Sequence, residues 1–247
     1  MRRFIGALCL STSALFAGTI NIAVASNVSY AIDELKSEFH KSHPTTKVRV
    51  TLGSSGKLTA QIKHRAPYGV FMSANMLYPQ RLYKENLALL EPQVYAQGTL
   101  SFFTLKKYDL SRGFELLKSK DIRRIAIANP KTAPYGKATF DALQTLHLHK
   151  PLQSKFIYGE SISQTLSYTM TAADIGIVAS ASLYSPKMQK FQEGKNWMKI
   201  EPEFYHPIKQ GIVLLKEAKG SQEYRDFYEF ILSQKAEQIF KKYGYII

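Results

Sequence analysis

The feature that most restricts what this chain can fold into is its alternation between two hydrophobic periods. Short apolar runs at residues 20–25 and 70–72 and the alternating segment 47–52 read as strands, and each is followed by apolar residues at helical spacing. Val28, Ile32, Leu35 and Phe39 form the first stripe, Leu58 and Ile62 mark the second, and residues 77–86 carry the third. His43-Pro44 and Ala66-Pro67 interrupt the first two, because proline cannot continue a helix.

A second set opens with an aromatic and apolar run at 100–105. It continues with strands at 122–128, 156–159 and 174–179 and with helices at 138–148 and from Ser161. A strand at 211–215 and two helices, carrying Tyr224, Phe227 and Ile231 and then Ala236, Ile239 and Phe240, follow. Strands alternating with helices imply an α/β protein with mainly parallel sheets flanked by helices. Two similar sets imply two lobes with a ligand cleft between them. Lobe 1 is expected from residues 18–99 and 207–247, and lobe 2 from 100–206, with the chain crossing near Gly98 and Pro207.

Arg2 and Arg3 precede a short apolar segment at 5–16, the pattern of an export signal, so residues 1–17 are expected to be a signal peptide. Ala23-Val24-Ala25 also reads as a cleavage site, but cutting there would delete the first strand, which favours cleavage near Ala17-Gly18. No apolar run approaches the roughly 20 residues that span a bilayer. Cys9, the one cysteine, lies inside the signal without the flanking pattern of a lipoprotein anchor. The exported chain therefore has no thiol for a disulfide, a metal site or a nucleophile.

Basic residues outnumber acidic ones 33 to 19, a net charge of +14, or +12 once Arg2 and Arg3 are set aside. Such an excess points to an anionic partner or surface. The charges are dispersed, however, in nothing longer than pairs such as Lys106-Lys107, Arg123-Arg124 and Lys241-Lys242. Export also removes nucleic acid as the expected partner.

Enzymatic readings lack their parts: there is no G-x-S-x-G elbow, no H-E-x-x-H and no P-loop. His147 and His149 are the nearest histidine pair, but two residues apart their side chains diverge on a helix. Ser55 has no histidine or lysine placed by motif to activate it.

What recurs is a turn of small or polar residues directly before a helix. Ser26-Asn27, Gly53-Ser54-Ser55-Gly56, Tyr135-Gly136 and Glu160-Ser161 each hold this place. Strand-to-helix turns lie at the carboxyl ends of parallel strands, where open α/β sheets bind ligands. Each presents unpaired N–H groups and the positive end of a helix dipole. Taken singly, each turn is also explained as an ordinary N-cap. Four aimed at one cleft would trap an anion without a formal charge. A fully ionised oxyanion offers only acceptors, so Ser and Tyr hydroxyls, Asn amides and backbone N–H groups suffice to hold it.

At these turns the chain resembles the periplasmic molybdate-binding proteins of ABC importers. The resemblance runs from about Ile20 to Tyr245. It rests on Ala25-Ser26-Asn27-Val28-Ser29, Gly53-Ser54-Ser55-Gly56-Lys57-Leu58, Val70-Phe71-Met72-Ser73-Ala74, Asn129-Pro130-Lys131-Thr132-Ala133-Pro134-Tyr135-Gly136, Gly159-Glu160-Ser161-Ile162-Ser163-Gln164-Thr165 and Asp174-Ile175-Gly176-Ile177-Val178. The tail from Ala236 to Gly244 is also typical. The resemblance implies a two-lobed class II periplasmic-binding-protein fold closing over molybdate or tungstate, and delivery to an inner-membrane ABC permease.

The site residues it implies are Asn27 and Ser55 through their side chains, and Tyr135 and Ile162 through their backbone N–H groups. It implies a periplasmic monomer with no cofactor and no catalytic residue, in which the metal is held only as its oxyanion. Three positions depart from the family pattern. Ala179 stands where the family has a tyrosine hydroxyl, which Tyr135 would replace, while Gly69 and Asn75 stand where aspartates are common. Sulfate, phosphate or an organic anion are the alternative ligands. An exported enzyme or a basic surface-binding protein are the alternative classes.

Overall fold

The computed structural model describes residues 18–247, and the expected signal peptide lies outside the described residues. The chain opens with β1 (Thr19–Ala25), a 3₁₀ turn (Ser26–Tyr30), α1 (Ile32–Ser42), β2 (Lys47–Gly53), α2 (Ser55–Lys63), β3 (Val70–Ser73), α3 (Leu77–Lys84) and β4 (Gln93–Gly98). It passes at Thr99 into β5 (Leu100–Phe103), then a 3₁₀ segment (Leu110–Lys118), β6 (Ile125–Ala128), α4 (Pro134–Thr145), α5 (His149–Leu152) and β7 (Phe156–Gly159). There follow α6 (Ile162–Thr171), β8 (Ile175–Ala179), α7 (Ser180–Leu183) and β9 (Trp197–Lys199). The chain returns as β10 (Ile208–Leu214) and ends on α8 (Gln222–Ile231) and α9 (Gln234–Lys242).

These strands form two five-stranded sheets, ordered β2-β1-β3-β10-β4 and β7-β6-β8-β5-β9. In the first, β1 runs parallel to β2 and β3, whereas β10 is antiparallel to both β3 and β4. The second repeats this plan, with β6 parallel to β7 and β8, and β5 antiparallel to β8 and β9. The sheets are thus mixed: four strands of each run in one direction, as expected of mainly parallel sheets, and one runs against them. Local strand–helix alternation reports only the βαβ crossovers. The reversed strand of each sheet, β5 or β10, comes from a segment that links the two sheets, and its direction is set by that passage.

Register brings the functional turns level with one another. Ala25 pairs with Gly53 at the ends of β1 and β2, and Ala128 pairs with Gly159 at the ends of β6 and β7. Each strand end therefore releases its turn on the same edge of its sheet.

The core explains why β1 belongs to the folded chain. Ile20, Ile22 and Val24 face a cluster with Phe39, Phe227 and Phe240, while Ala23 faces Leu58 and Phe71 on the other side. Alternate residues of an internal strand thus meet apolar partners on both faces. Cleavage after Ala25 would remove this strand and both contacts. In the second sheet, Ile125 and Ile127 pack with Phe102 on one face, while Phe103 and Val178 meet Trp197 on the other.

Helix starts differ from the expected ones. Val28 lies in the 3₁₀ turn and α1 begins only at Ile32. Ser55 is already helical in α2, and Pro134, Tyr135 and Gly136 form the first turn of α4. Proline at the first helical position needs no N–H partner, so it opens this helix rather than preceding it. Strand β4, which periodicity did not mark, is completed by pairing with β10. Among the described residues no helix is long and apolar enough to cross a membrane.

Candidate functional site

The four residues expected to form the site line one pocket. Its wall comprises Ala25, Ser26 and Asn27 after β1, Gly53, Ser54 and Ser55 where β2 meets α2, Ala74 after β3, Ala133, Pro134 and Tyr135 at the start of α4, and Ile162 at the start of α6. The pocket encloses a cavity of about 10 Å³. That is below the roughly 300–1,000 Å³ typical of sites for drug-sized ligands. No lining residue carries a charge.

Each helix start supplies donors for a definite reason. Ser54 precedes α2, yet its hydroxyl makes no cap and has no hydrogen-bond partner although the residue is buried. Ser55 Oγ accepts the Ala74 N–H at 2.9 Å, which leaves its own proton available. In α4 the preceding Ala133 has no capping side chain and Pro134 has no N–H, so Tyr135 carries the first N–H of the helix. In α6 the Ser161 hydroxyl accepts from Gln164 N–H at 3.3 Å, leaving the first helical N–H, that of Ile162, uncapped. The dipoles of α2, α4 and α6 all present their positive ends here.

The two sheets meet around this pocket. Gly56 N–H at the start of α2 donates to Thr132 O before α4 at 2.9 Å. Ser163 Oγ of α6 donates to Ser26 O at 2.8 Å, and Lys57 pairs with Glu160 at 2.7 Å. Lys57, with Asn129 next, holds the exposed Glu160 carboxyl below the usual carboxylate range.

Behind the pocket lies a buried polar network that sequence reading did not identify. Asn27 Nδ2 donates to Gln210 Oε1 at 2.7 Å and to Tyr245 Oη at 3.1 Å. Tyr245 O–H donates to Asn27 O at 2.9 Å, and Tyr95 O–H donates to Gln210 Oε1 at 2.8 Å. Gln210 Nε2 donates to Tyr135 Oη at 3.2 Å. Burial pushes the hydroxyls of Tyr95, Tyr135 and Tyr245 above the ordinary tyrosine value, so all three stay protonated. A polar residue within the buried strand β10 was the available signal for Gln210, but nothing local says what it bonds to.

Two expectations are altered by this network. In this arrangement the donor end of the Asn27 side chain is held away from the pocket, and Oδ1 is the atom without a partner. The Tyr135 hydroxyl meets Gln210 on β10, and a Cβ on Gly98 of β4 would lie 1.9 Å from it. Tyr135 thus fills the gap that Gly98 leaves between the sheets. Ala179 packs into the core of the second lobe and is not among the residues lining the pocket.

The other departures have local explanations. A Cβ on Gly69 would lie 2.3 Å from the Tyr224 ring, whose hydroxyl accepts the Asn21 N–H at 2.9 Å, so an aspartate has no room there. Asn75 Oδ1 accepts from Ser73 Oγ at 3.3 Å and from Tyr78 N–H at 3.4 Å, which ties the loop to the start of α3. His147 and His149 line a separate surface groove with Gln144 and Lys150. Among the described residues no cluster of three His, Cys, Asp or Glu side chains forms a metal site.

Two α/β lobes, with helix starts converging on a small uncharged pocket between them, define a solute-binding protein. The family of bacterial extracellular solute-binding proteins matches residues 20–246, and the chain belongs to it. The molybdate-binding protein ModA of Azotobacter vinelandii is 32% identical over 231 residues, covering 93% of this chain and 90% of that protein. ModA of Rhodobacter capsulatus is 33% identical over 232 residues, covering 93% and 89% respectively. The solved structure of the Azotobacter vinelandii periplasmic molybdate-binding protein superposes with a TM-score of 0.85 at 30% identity, covering 92% of this chain and 99% of that one. The sulfate-binding protein SubI of Mycobacterium tuberculosis shares the fold, with a TM-score of 0.74 at 11% identity.

Proposed function

We propose that this protein captures molybdate or tungstate outside the cytoplasm and presents it to an inner-membrane ABC permease. The observation that carries this reading is the convergence of three uncapped or partly capped helix starts and two serine hydroxyls on one small pocket without a charged lining residue. A dianion held by neutral donors is recognised by hydrogen bonds alone, each contributing roughly 1.5–3 kcal/mol. Several together offset the cost of taking the dianion out of water. Relatives at 32% and 33% identity are molybdate-binding proteins, which supports this oxyanion over others.

In this reading Ser55 donates its hydroxyl, Tyr135 and Ile162 donate their N–H groups, and Asn27 contributes its side chain. Lobe 1 comprises residues 18–99 and 207–247 and lobe 2 residues 100–206, closing by a hinge at the segments that cross between the sheets. The protein acts as a periplasmic monomer, without catalysis or cofactor. Calorimetric titration of the mature chain with molybdate, tungstate, sulfate and phosphate tests the reading. Saturable heat with the first two at lower concentration than with the others is expected. Binding of sulfate or phosphate alone would reassign the ligand and leave the fold intact.

A further inference from the structure

Gln210 is wholly buried at a register shift in β10, where the strand bulges between Gln210 and Gly211. A bulge turns a side chain out of the regular alternation. It aims this amide at groups from both lobes: Asn27 and Tyr95 on one side, Tyr135 on the other.

The hydrogen bonds of this cluster can be counted atom by atom. In the described arrangement Gln210 Oε1 accepts from Asn27 Nδ2 and Tyr95, and Gln210 Nε2 donates to Tyr135. Two groups are then left over. Asn27 Oδ1 has no donor although Asn27 is only 1% exposed, and no acceptor faces the Tyr135 proton. Turning both amides by half a turn keeps every heavy atom in its place. Gln210 Nε2 then donates to Asn27 Oδ1 and to Tyr95 Oη, and Tyr95 turns its proton to Ser73 O, 3.4 Å away. Gln210 Oε1 accepts from Tyr135, and Tyr245 turns its proton from Asn27 O to Asn27 Oδ1, which now stands 3.1 Å from its hydroxyl. Among the side-chain groups of the cluster, Asn27 Nδ2 is then the one without a partner, and Asn27 lines the pocket. One amide cannot turn without the other, because two oxygens or two NH₂ groups would face each other across 2.7 Å.

We propose that Gln210 is a positioning residue that sets anion selectivity by turning Asn27: the paired amides present N–H to a fully ionised oxyanion and a carbonyl to a protonated one. The inference rests on the oxyanion-binding reading of the pocket. An ionised ligand recovers both leftover groups of the cluster, because its oxygen accepts from Asn27 and the Tyr135 proton gains Gln210. A ligand bearing a hydroxyl meets Asn27 Oδ1 but leaves the Tyr135 proton without an acceptor. The wild-type pocket therefore favours the ionised species.

The test compares molybdate with phosphate by calorimetry at mildly alkaline pH, where both are dianions and only phosphate keeps a proton. In Gln210→Glu the side chain only accepts, which pins the Asn27 NH₂ and leaves Oδ1 toward the pocket. Molybdate affinity is expected to fall roughly 10- to 100-fold more than phosphate affinity, the worth of one hydrogen bond to a charged group. The added negative charge acts alike on both dianions and cancels in the ratio. Gln210→Met, similar in length but apolar, releases Asn27 and is expected to move the ratio toward unity. Equal losses for both ligands in both variants would reduce Gln210 to a structural role and overturn the inference. A wild-type protein that bound neither oxyanion would instead remove the reading on which it rests, and the inference with it.

Discussion

Lys57 and Glu160 meet beside the pocket from opposite lobes, with Nζ and Oε2 2.7 Å apart. Lys57 belongs to the first turns of α2, and Glu160 immediately precedes the Ser161 cap of α6. The pair therefore bridges two of the helix starts that line the site. Both side chains are about half exposed, so their attraction is screened by water and salt. Lys57→Ala is expected to speed ligand release by no more than about fivefold, an effect that shrinks further at high ionic strength. Stopped-flow displacement at low and high salt checks this. Because Lys57 holds the Glu160 carboxyl below its ordinary value, the bridge is complete above that ordinary value and is lost as pH falls through the lowered one. Ligand release should accelerate only in that acidic window.

Ser55 has two duties, and its replacement should register in two measurements. Ser55→Ala removes the acceptor for the buried Ala74 N–H, at a cost of about 1–3 kcal/mol in stability. It also removes a hydroxyl donor from the pocket, lowering oxyanion affinity about 10- to 100-fold. Thermal unfolding without ligand isolates the first effect, and calorimetric titration measures the second.

Gly98 and Tyr135 are coupled by exclusion. A Cβ at Gly98 would come within 1.9 Å of the Tyr135 hydroxyl and 2.8 Å of Gln210 Nε2. Gly98→Ala should destabilise by about 1–3 kcal/mol through overpacking. Tyr135→Phe removes the nearest clashing atom, so the alanine should cost less in that background. A double-mutant cycle by denaturant unfolding gives the coupling, and strict additivity would contradict the close approach. Tyr135→Phe alone leaves Gln210 Nε2 unpaired, so oxyanion affinity should change through the network. Unchanged affinity would dismiss the hydroxyl from any role in binding.

Asp174 ties the second sheet together at its base. Its Oδ2 accepts from Arg123 N–H at 2.7 Å and Arg124 N–H at 2.8 Å, and its Oδ1 pairs with Lys106. Partial burial pushes the carboxyl upward, but Lys106 and the two N–H groups outweigh it and hold it below the ordinary value. A lowered carboxyl stabilises the fold above its unfolded pKa, roughly 3.9, and that stability is lost as pH falls through the folded value. Asp174→Asn should therefore lower the melting temperature at neutral pH, with the gap to wild type closing under acid. A gap that stayed constant with pH would contradict this account.

The motif residues and their neighbours carried much of the site in plain view. Asn27, Ser55, Tyr135 and Ile162 each stand at a strand-to-helix turn, a relation set within a few residues of chain, and all four line one pocket. The exact helix starts were less legible. Ser55 opens the helix because Ser54 O accepts the Leu58 N–H, and the Gly56 N–H finds its partner, Thr132 O, only across the lobes.

The partners of those residues were not legible at all. Gln210 lies 183 positions from Asn27 and 75 from Tyr135, and no local pattern relates them. The same holds for Gly69, whose missing side chain is explained by Tyr224, and for β4, which pairs with β10. By itself the sequence determined the alternation of strands and helices, the placement of donors at their junctions and the family resemblance, because each depends on short-range periodicity and spacing. Only the tertiary structure decided that the sheets are mixed, that Tyr135 packs against Gly98 and that Asn27 is wired to Gln210. Those contacts arise where distant segments exclude water together, and packing and hydrogen-bond satisfaction there are properties of the closed volume.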